Sequence, residues 1–355
     1  SGNYVIGGVI TPGTAVSSLE NKNLKWETTQ QTDIGVDAAI LNNRILFTAD
    51  YYIKQTTNML LDRPIPGSVG IPGSTAIKNI GKMENRGFEF QVSSKNLTGK
   101  LKWGTDFNIS FNRSKIISLD GGTIKIGNIS ERGTVAIAQE GKPLGLFYGY
   151  ISEGVDPATG NIIYRDIDKS GDLSDGDQTI IGNANPKYFF GLTNNFSYGN
   201  FTFSFFVQGV QGNDIFNATR IETEGLIDEA NQTKNVLNRW TTAGQVTNIP
   251  KATYGDNTNS LISSRFIENG SFVRLKSATL GYTLPEAVTN RLKISRCFLY
   301  VTGENIFTFT KYSGFDPEVS LYGRSGSSEK NIAPGIDYGT YPQSRDFIIG
   351  LNITF

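Results

Sequence analysis

The sequence predicts an all-β fold, the wall of an antiparallel transmembrane β-barrel, from three observations. Apolar and polar residues alternate with period two, the alternating runs are long, and the connections between them alternate between long and short. Several runs exceed the roughly 5 to 6 residues of an ordinary globular strand and reach the roughly 9 to 11 that cross a bilayer at a tilt.

Taken in order, strands are expected over about 25–40 and about 43–60, the second because Ile45, Phe47, Ala49, Tyr51 and Ile53 share one face. Phe88, Phe90 and Val92 alternate with Glu89, Gln91 and Ser93 in a third strand, about 83–96. In a fourth, about 101–119, Phe107, Ile109 and Phe111 alternate with Asp106, Asn108 and Ser110. Tyr188, Phe190 and Leu192 mark about 186–198; Phe201, Phe203, Phe205 and Val207 mark about 201–213; Ala278, Leu280 and Tyr282 mark about 270–284. An eighth strand over about 295–310 and a closing run of Phe347, Ile349, Leu351, Ile353 and Phe355, about 344–355, bring the count to about nine. The face carrying Asp50, Glu89, Asp106, Asn108 and Thr202 is expected to line a lumen, and Phe203 to face lipid near mid-bilayer.

The long connections fall at about 61–82, 120–185, 214–269 and 311–343, and the short ones at Asn42-Asn43, Leu97 to Lys100, Gly199-Asn200 and about 285–294. Residues 1–355 therefore read as part of one barrel domain. Outer-membrane barrels keep short turns periplasmic and long loops extracellular, which puts Phe355 at the periplasmic end. A soluble β-sandwich would share the alternation but leaves the rhythm of the connections unexplained.

Composition removes other classes. Lys plus Arg equal Asp plus Glu at 33 each, so no basic excess exists to bind a phosphate backbone and nucleic acid is not an expected partner. The absence of His excludes a His-based triad, an imidazole metal site and a His pH switch. Cys297 is the single cysteine, so no internal disulfide forms, and a small buried apolar role is expected of it. The chain opens at Ser1-Gly2-Asn3-Tyr4 without a targeting signal, as expected of a mature chain or a fragment. No run approaches the roughly 18 apolar residues of a membrane helix, which leaves barrels untouched. No nucleophile–base pair is visible, and Glu222 and Glu224 follow no glycosidase spacing, so enzyme activity is not expected.

One segment has metal-site spacing. Asp166, Asp168 and Ser170 stand at positions one, three and five of an EF-hand-like loop, Gly171 at the sharp turn and Asp172 where a backbone carbonyl would ligate. Asp177 stands where a bidentate Glu is usual. A structural Ca2+ over 166–177 is one expectation, and a surface loop rich in Asx turns is the other.

Several strings resemble the SusC/RagA family of TonB-linked outer-membrane transporters. They are Asn23-Leu24-Lys25-Trp26-Glu27, Asn79-Ile80-Gly81, Glu84-Asn85-Arg86-Gly87-Phe88-Glu89 and Asn185-Pro186-Lys187-Tyr188. Phe272-Val273-Arg274-Leu275-Lys276, Tyr312-Ser313-Gly314-Phe315-Asp316-Pro317-Glu318 and the closing Gly350 to Phe355 continue the pattern. The resemblance implies the C-terminal part of a barrel of about 22 strands with a plugged lumen. It also implies import of oligosaccharides or peptides beneath a SusD-like surface lipoprotein, with energy supplied through TonB and no cofactor for activity. The plug and the N-terminal strands lie outside this chain, so the implied partners are that portion of the transporter, the lipoprotein, the TonB complex, substrate and the lipid bilayer. Rings that could stack on a sugar are Tyr148, Tyr150, Trp240, Tyr312, Phe315 and Tyr322, although aromatics also form girdles and pack loops together. The alternative is a surface adhesin or glycan-binding β-protein that transports nothing.

Overall fold

The computed structural model describes residues 2–13, 19–65, 67–69, 75–119, 122–129, 132–319 and 333–355. The nine expected strands are all present and form one antiparallel sheet whose spatial order follows the chain. They are Thr28–Ile40, Ile45–Pro64, Thr75–Thr98, Leu101–Leu119, Tyr188–Tyr198, Phe201–Gln211, Phe272–Thr283, Arg296–Thr310 and Asp346–Thr354. Within this sheet the first and last strands each have one neighbour, so both edges are open.

The pairing register turns the alternation into two continuous surfaces. One row runs through Ala38, Phe47, Val92, Phe107, Leu192 and Val207, each directly opposite the next. The neighbouring row on the other face runs through Asp37, Thr48, Gln91, Asn108, Gly191, Gln208 and Arg274. Directly paired residues share a face, so the wall has an apolar belt on one side and a polar lining on the other. Asp33, Asp50, Tyr52, Lys54 and Glu89 border a recess of about 440 Å³ on the polar side. There a Cβ on Gly87 would lie about 2.5 Å from the ring of Tyr52 directly opposite, so only glycine leaves room for that ring.

Tight turns gather at one end of the sheet. Gly199 takes a φ of +55° in the two-residue turn to Phe201, and Leu41, Asn42 and Asn43 are all left-handed in the first hairpin. Beside these turns Tyr198, Phe201 and Tyr282 form a paired row, the last two with ring centroids 4.7 Å apart. Membrane barrels carry such rows as interfacial aromatic girdles. Phe203 sits only two residues beyond it on the same face, and Leu192, opposite Val207, lies farther from the turns.

At the other end the structure departs from the expected loops. The 61–82 connection is shorter than expected, because strands run on through Pro64 and resume at Thr75. A bulge at Asn58–Met59 separates those extensions from the regular ladder and hides their periodicity. The Asn79 side chain bridges the bulge. Its amide donates to the carbonyls of Asn58 and Lys25, both at 2.8 Å, and its oxygen accepts from the Lys25 N–H at 2.9 Å. Glu27 accepts the Leu60 N–H at 2.8 Å. Two of the distant sequence strings thus meet in space.

The connections 120–185 and 214–269 fold together. Strands Thr123–Ile129, Gly133–Gln139, Leu146–Gly149 and Thr179–Asn183 make one small sheet, and Asp214–Asn217, Ile267–Asn269 and Ile336–Asp337 another. Phe147, Val135, Phe216, Phe266 and Ile336 are buried in one core shared by these segments. The last connection is also clamped to the wall. Arg274, 1% exposed on the polar lining, donates to Asp316 at 2.6 Å and to Glu318 at 2.5 Å. Burial works against an ionised Asp316, but Arg274 and the N–H groups of Glu318 and Gln343 hold its carboxyl below the usual range.

Two outcomes are expected from this geometry. Leu192→Arg should cost about 2 to 4 kcal/mol of barrel stability, and Phe203→Arg, beside the girdle, closer to 0 to 1 kcal/mol, as read from denaturant refolding into lipid vesicles. Arg274→Ala should destabilise by roughly 3 to 5 kcal/mol because it leaves Asp316 buried and unpaired. Arg274→Lys should recover part of that loss, as read from the melting temperature.

Candidate functional site

The long connections at the end opposite the tight turns hold most of the buried polar chemistry. The short helix Thr219–Glu224 carries Arg220, which donates to Glu224 at 3.0 Å and to Glu268 at 3.1 Å. Glu224 is 2% exposed and also accepts from the Asn235 amide at 2.8 Å. Burial alone would raise its pKa, yet Asn235 and Arg220 together hold the carboxyl below its ordinary value. Arg265 lies 3.9 Å from Glu224 and over the Phe266 ring, 5.2 Å from its centroid. Burial, followed by the neighbouring Arg220 charge, pulls its pKa down to about 10. Two cations and two carboxylates thus join segments 220–224, 235 and 265–268 that are distant in sequence. Glu268 also accepts from the Asn217 amide at 3.1 Å and the Ser313 hydroxyl at 2.8 Å, whereas the Arg265 guanidinium faces Glu224 without a hydrogen bond of its own among the described residues.

The aromatic candidates divide into two groups. Tyr150 is buried, bonded through its hydroxyl to the Gln178 amide at 3.2 Å and packed on Tyr164 at 5.6 Å. Tyr312 is buried with its hydroxyl donating to the Asp337 carboxylate, and burial followed by that carboxylate pushes the phenol pKa up. Trp240 lies over Gly160 and donates its indole N–H to the Pro157 carbonyl at 2.9 Å. These three rings therefore hold connections together. Tyr148 keeps part of its ring at the surface with the Lys125 ammonium 5.9 Å from the centroid, and Phe315 is 79% exposed. Tyr322 lies outside the described residues.

The 166–177 segment closes into a compact loop. Asp166, Asp168 and Asp177 each bring a carboxylate oxygen within 4.8 Å of the others. Asp177 is buried and accepts the N–H groups of Ile167 at 2.7 Å, Ser174 at 2.8 Å and Asp168 at 3.3 Å. Those bonds, led by that from Ser174, hold its pKa down. Ser174 caps the 3-10 turn Asp175–Asp177 in a reciprocal capping box with Asp177. The Ser170 hydroxyl donates to the Asp172 carbonyl at 2.9 Å, so the oxygens of positions five and seven lie side by side. The Asp172 carboxylate is not among the converging three.

Reading the sequence missed Arg274 with Asp316 and Glu318, and the set of Arg220, Glu224, Arg265 and Glu268. The first had a visible signal: Arg274 interrupts the apolar run Phe272-Val273-Arg274-Leu275, and a charge there requires a buried partner. The second set had none, because its members lie in segments without periodicity.

Comparison with known proteins matches this architecture. Residues 1–306 match the family described as TonB dependent receptor-like, beta-barrel. The chain is 36% identical to the TonB-dependent receptor P3 of Formosa agariphila, over 99% of this chain and 36% of that protein. It is 30% identical to the TonB-dependent receptor SusC of Bacteroides thetaiotaomicron, over 94% of this chain and 32% of that protein. The solved structure of the RagAB peptide transporter superposes with a TM-score of 0.81 at 25% identity, over 99% of this chain and 38% of that one. The chain spans about a third of the length of the curated relatives it matches. With an open nine-stranded wall, a belt and a lining on its two faces and its long connections folded together at one end, it belongs to the TonB-dependent receptor β-barrel family.

Proposed function

We propose that this chain supplies barrel wall and extracellular loops to a TonB-dependent importer of oligosaccharides, or of peptides, that works with a SusD-like surface lipoprotein closing over the loop end. The observation that carries this reading is the wall itself: an apolar belt outside, a polar lining inside, and two open edges. Unpaired edge amides are costly in hydrocarbon, so a plug-bearing barrel portion of the same receptor would pair with both edges and couple to TonB. On this reading the long connections are extracellular and Phe355 periplasmic. Similarity to a protein named SusC and to a structure titled as a peptide transporter supports an importer over an adhesin. Tyr148 and Phe315, whose rings remain accessible, are the proposed substrate contacts, since a ring face can pack on the C–H face of a sugar or on a peptide side chain. We also propose a structural Ca2+ in the 166–177 loop, supported by the convergence of Asp166, Asp168 and Asp177.

Membrane-extracted material containing this chain, run unheated on a gel with mass spectrometry of every chain in the native band, should show it together with a plug-bearing portion and a lipoprotein. Migration of this chain alone as a closed, compact species would overturn the reading. In the assembled receptor Tyr148→Ala and Phe315→Ala should each weaken substrate binding by about 0.5 to 1.5 kcal/mol in calorimetry without lowering the melting temperature. Calcium at a hundredfold excess over its Kd should add about 2.7 kcal/mol to the stability of the folded receptor, and Asp168→Asn should remove the increment.

A further inference from the structure

The apolar belt on the outward face ends toward the long connections in a set of cations. Its row of Ile34 and the rings of Tyr51, Phe88 and Phe111 is followed, two residues along each strand, by Thr32, Ile53, Arg86 and Arg113. The next row is Gln30, Gln55, Glu84 and Lys115. Because side chains alternate with period two, Arg86, Arg113 and Lys115 stand on the same side as the belt, one and two rows beyond its rings. Two residues of a tilted strand rise about 5 Å, which sets these cations at the boundary between hydrocarbon and headgroups.

They border a recess of about 470 Å³ with Glu84, Ser114 and Ile117. Arg86 and Arg113 are directly opposite one another, and like charges so placed repel. The carbonyls of Asn112 and Lys187 accept from Arg113 at 2.8 and 3.0 Å. Among the described residues the side chains of Arg86 and Lys115 have no ion-pair or hydrogen-bond partner. The one carboxylate of the recess, Glu84, already accepts from the Gln55 amide at 2.9 Å.

We infer that this recess binds the phosphate-bearing headgroup of an outer-leaflet lipid. A phosphate offsets the repulsion between Arg86 and Arg113 and takes the free donors of Arg86 and Lys115, while acyl chains pack against Phe88 and Phe111 just below. The place of the cations selects a lipid over a free anion, since they lie on the belt side of the wall and not on its polar lining. The inference needs the wall to sit in a membrane and is independent of what the receptor imports.

The test uses the full-length receptor in detergent, titrated separately with bisphosphorylated lipid A, dephosphorylated lipid A and inorganic phosphate, with bound species counted by native mass spectrometry. The phosphorylated lipid should be retained in preference to the dephosphorylated one. Arg86→Gln and Lys115→Gln should each weaken retention about fivefold. Glu84→Gln should strengthen it, an effect that damage to the fold would not produce. Equal retention of the two lipids, unchanged retention by the Arg86→Gln/Lys115→Gln double variant, or inorganic phosphate binding as tightly as the lipid would each overturn the inference.

Discussion

Hydrocarbon offers no water to complete a backbone N–H or C=O, so a strand that crosses it must be paired along its length. The rest of this chain follows from that constraint. Pairing holds the nine strands side by side in chain order, and the period-two geometry of a strand then sends every second side chain into lipid. Phe47 and Val92, Phe107 and Leu192 meet on one face because Thr48 and Gln91, Asn108 and Gly191 meet on the other. A register slip of one residue would exchange the two sets across the wall, so the belt and the ladder of hydrogen bonds enforce the same pairing.

Beyond the membrane the constraint relaxes, and ordinary globular packing takes over. The long connections contain short strands that pair with one another around Phe147, Phe216 and Phe266, so they form a folded cap and not independent loops. Buried charges hold that cap together and anchor it. Glu224 joins its helix to Asn235, Arg220 of the same helix reaches Glu268, and Arg274 reaches from the wall to the final connection through Asp316 and Glu318. Neither set would be tolerable with one partner missing, which makes the cap dependent on the wall for its position. The exposed Arg86 and Lys115, whose side chains have no ion-pair or hydrogen-bond partner among the described residues, stand on the belt side of the same wall.

The nine wall strands were legible in the sequence because alternation is a local property, written into neighbouring residues such as Phe88-Glu89-Phe90-Gln91. Their turns were legible too, since Gly199-Asn200 and Asn42-Asn43 are residues that accept left-handed backbone. The converging carboxylates of 166–177 followed from spacing inside twelve residues. The bulge at Asn58–Met59 broke the pattern, so the extensions of two strands beyond it were read as a loop.

The sequence by itself therefore determined the fold class, the strand count and the two faces of the wall, all of which rest on contacts between near neighbours in the chain. Tertiary structure alone decided which aromatics were spent on packing, as for Tyr150 and Tyr312, and which stayed accessible, as for Phe315. It alone paired Arg274 with Asp316, forty-two residues apart, and Arg220 with Glu268, forty-eight residues apart. Such pairings depend on where whole segments come to lie, and no periodicity in either segment records the position of the other.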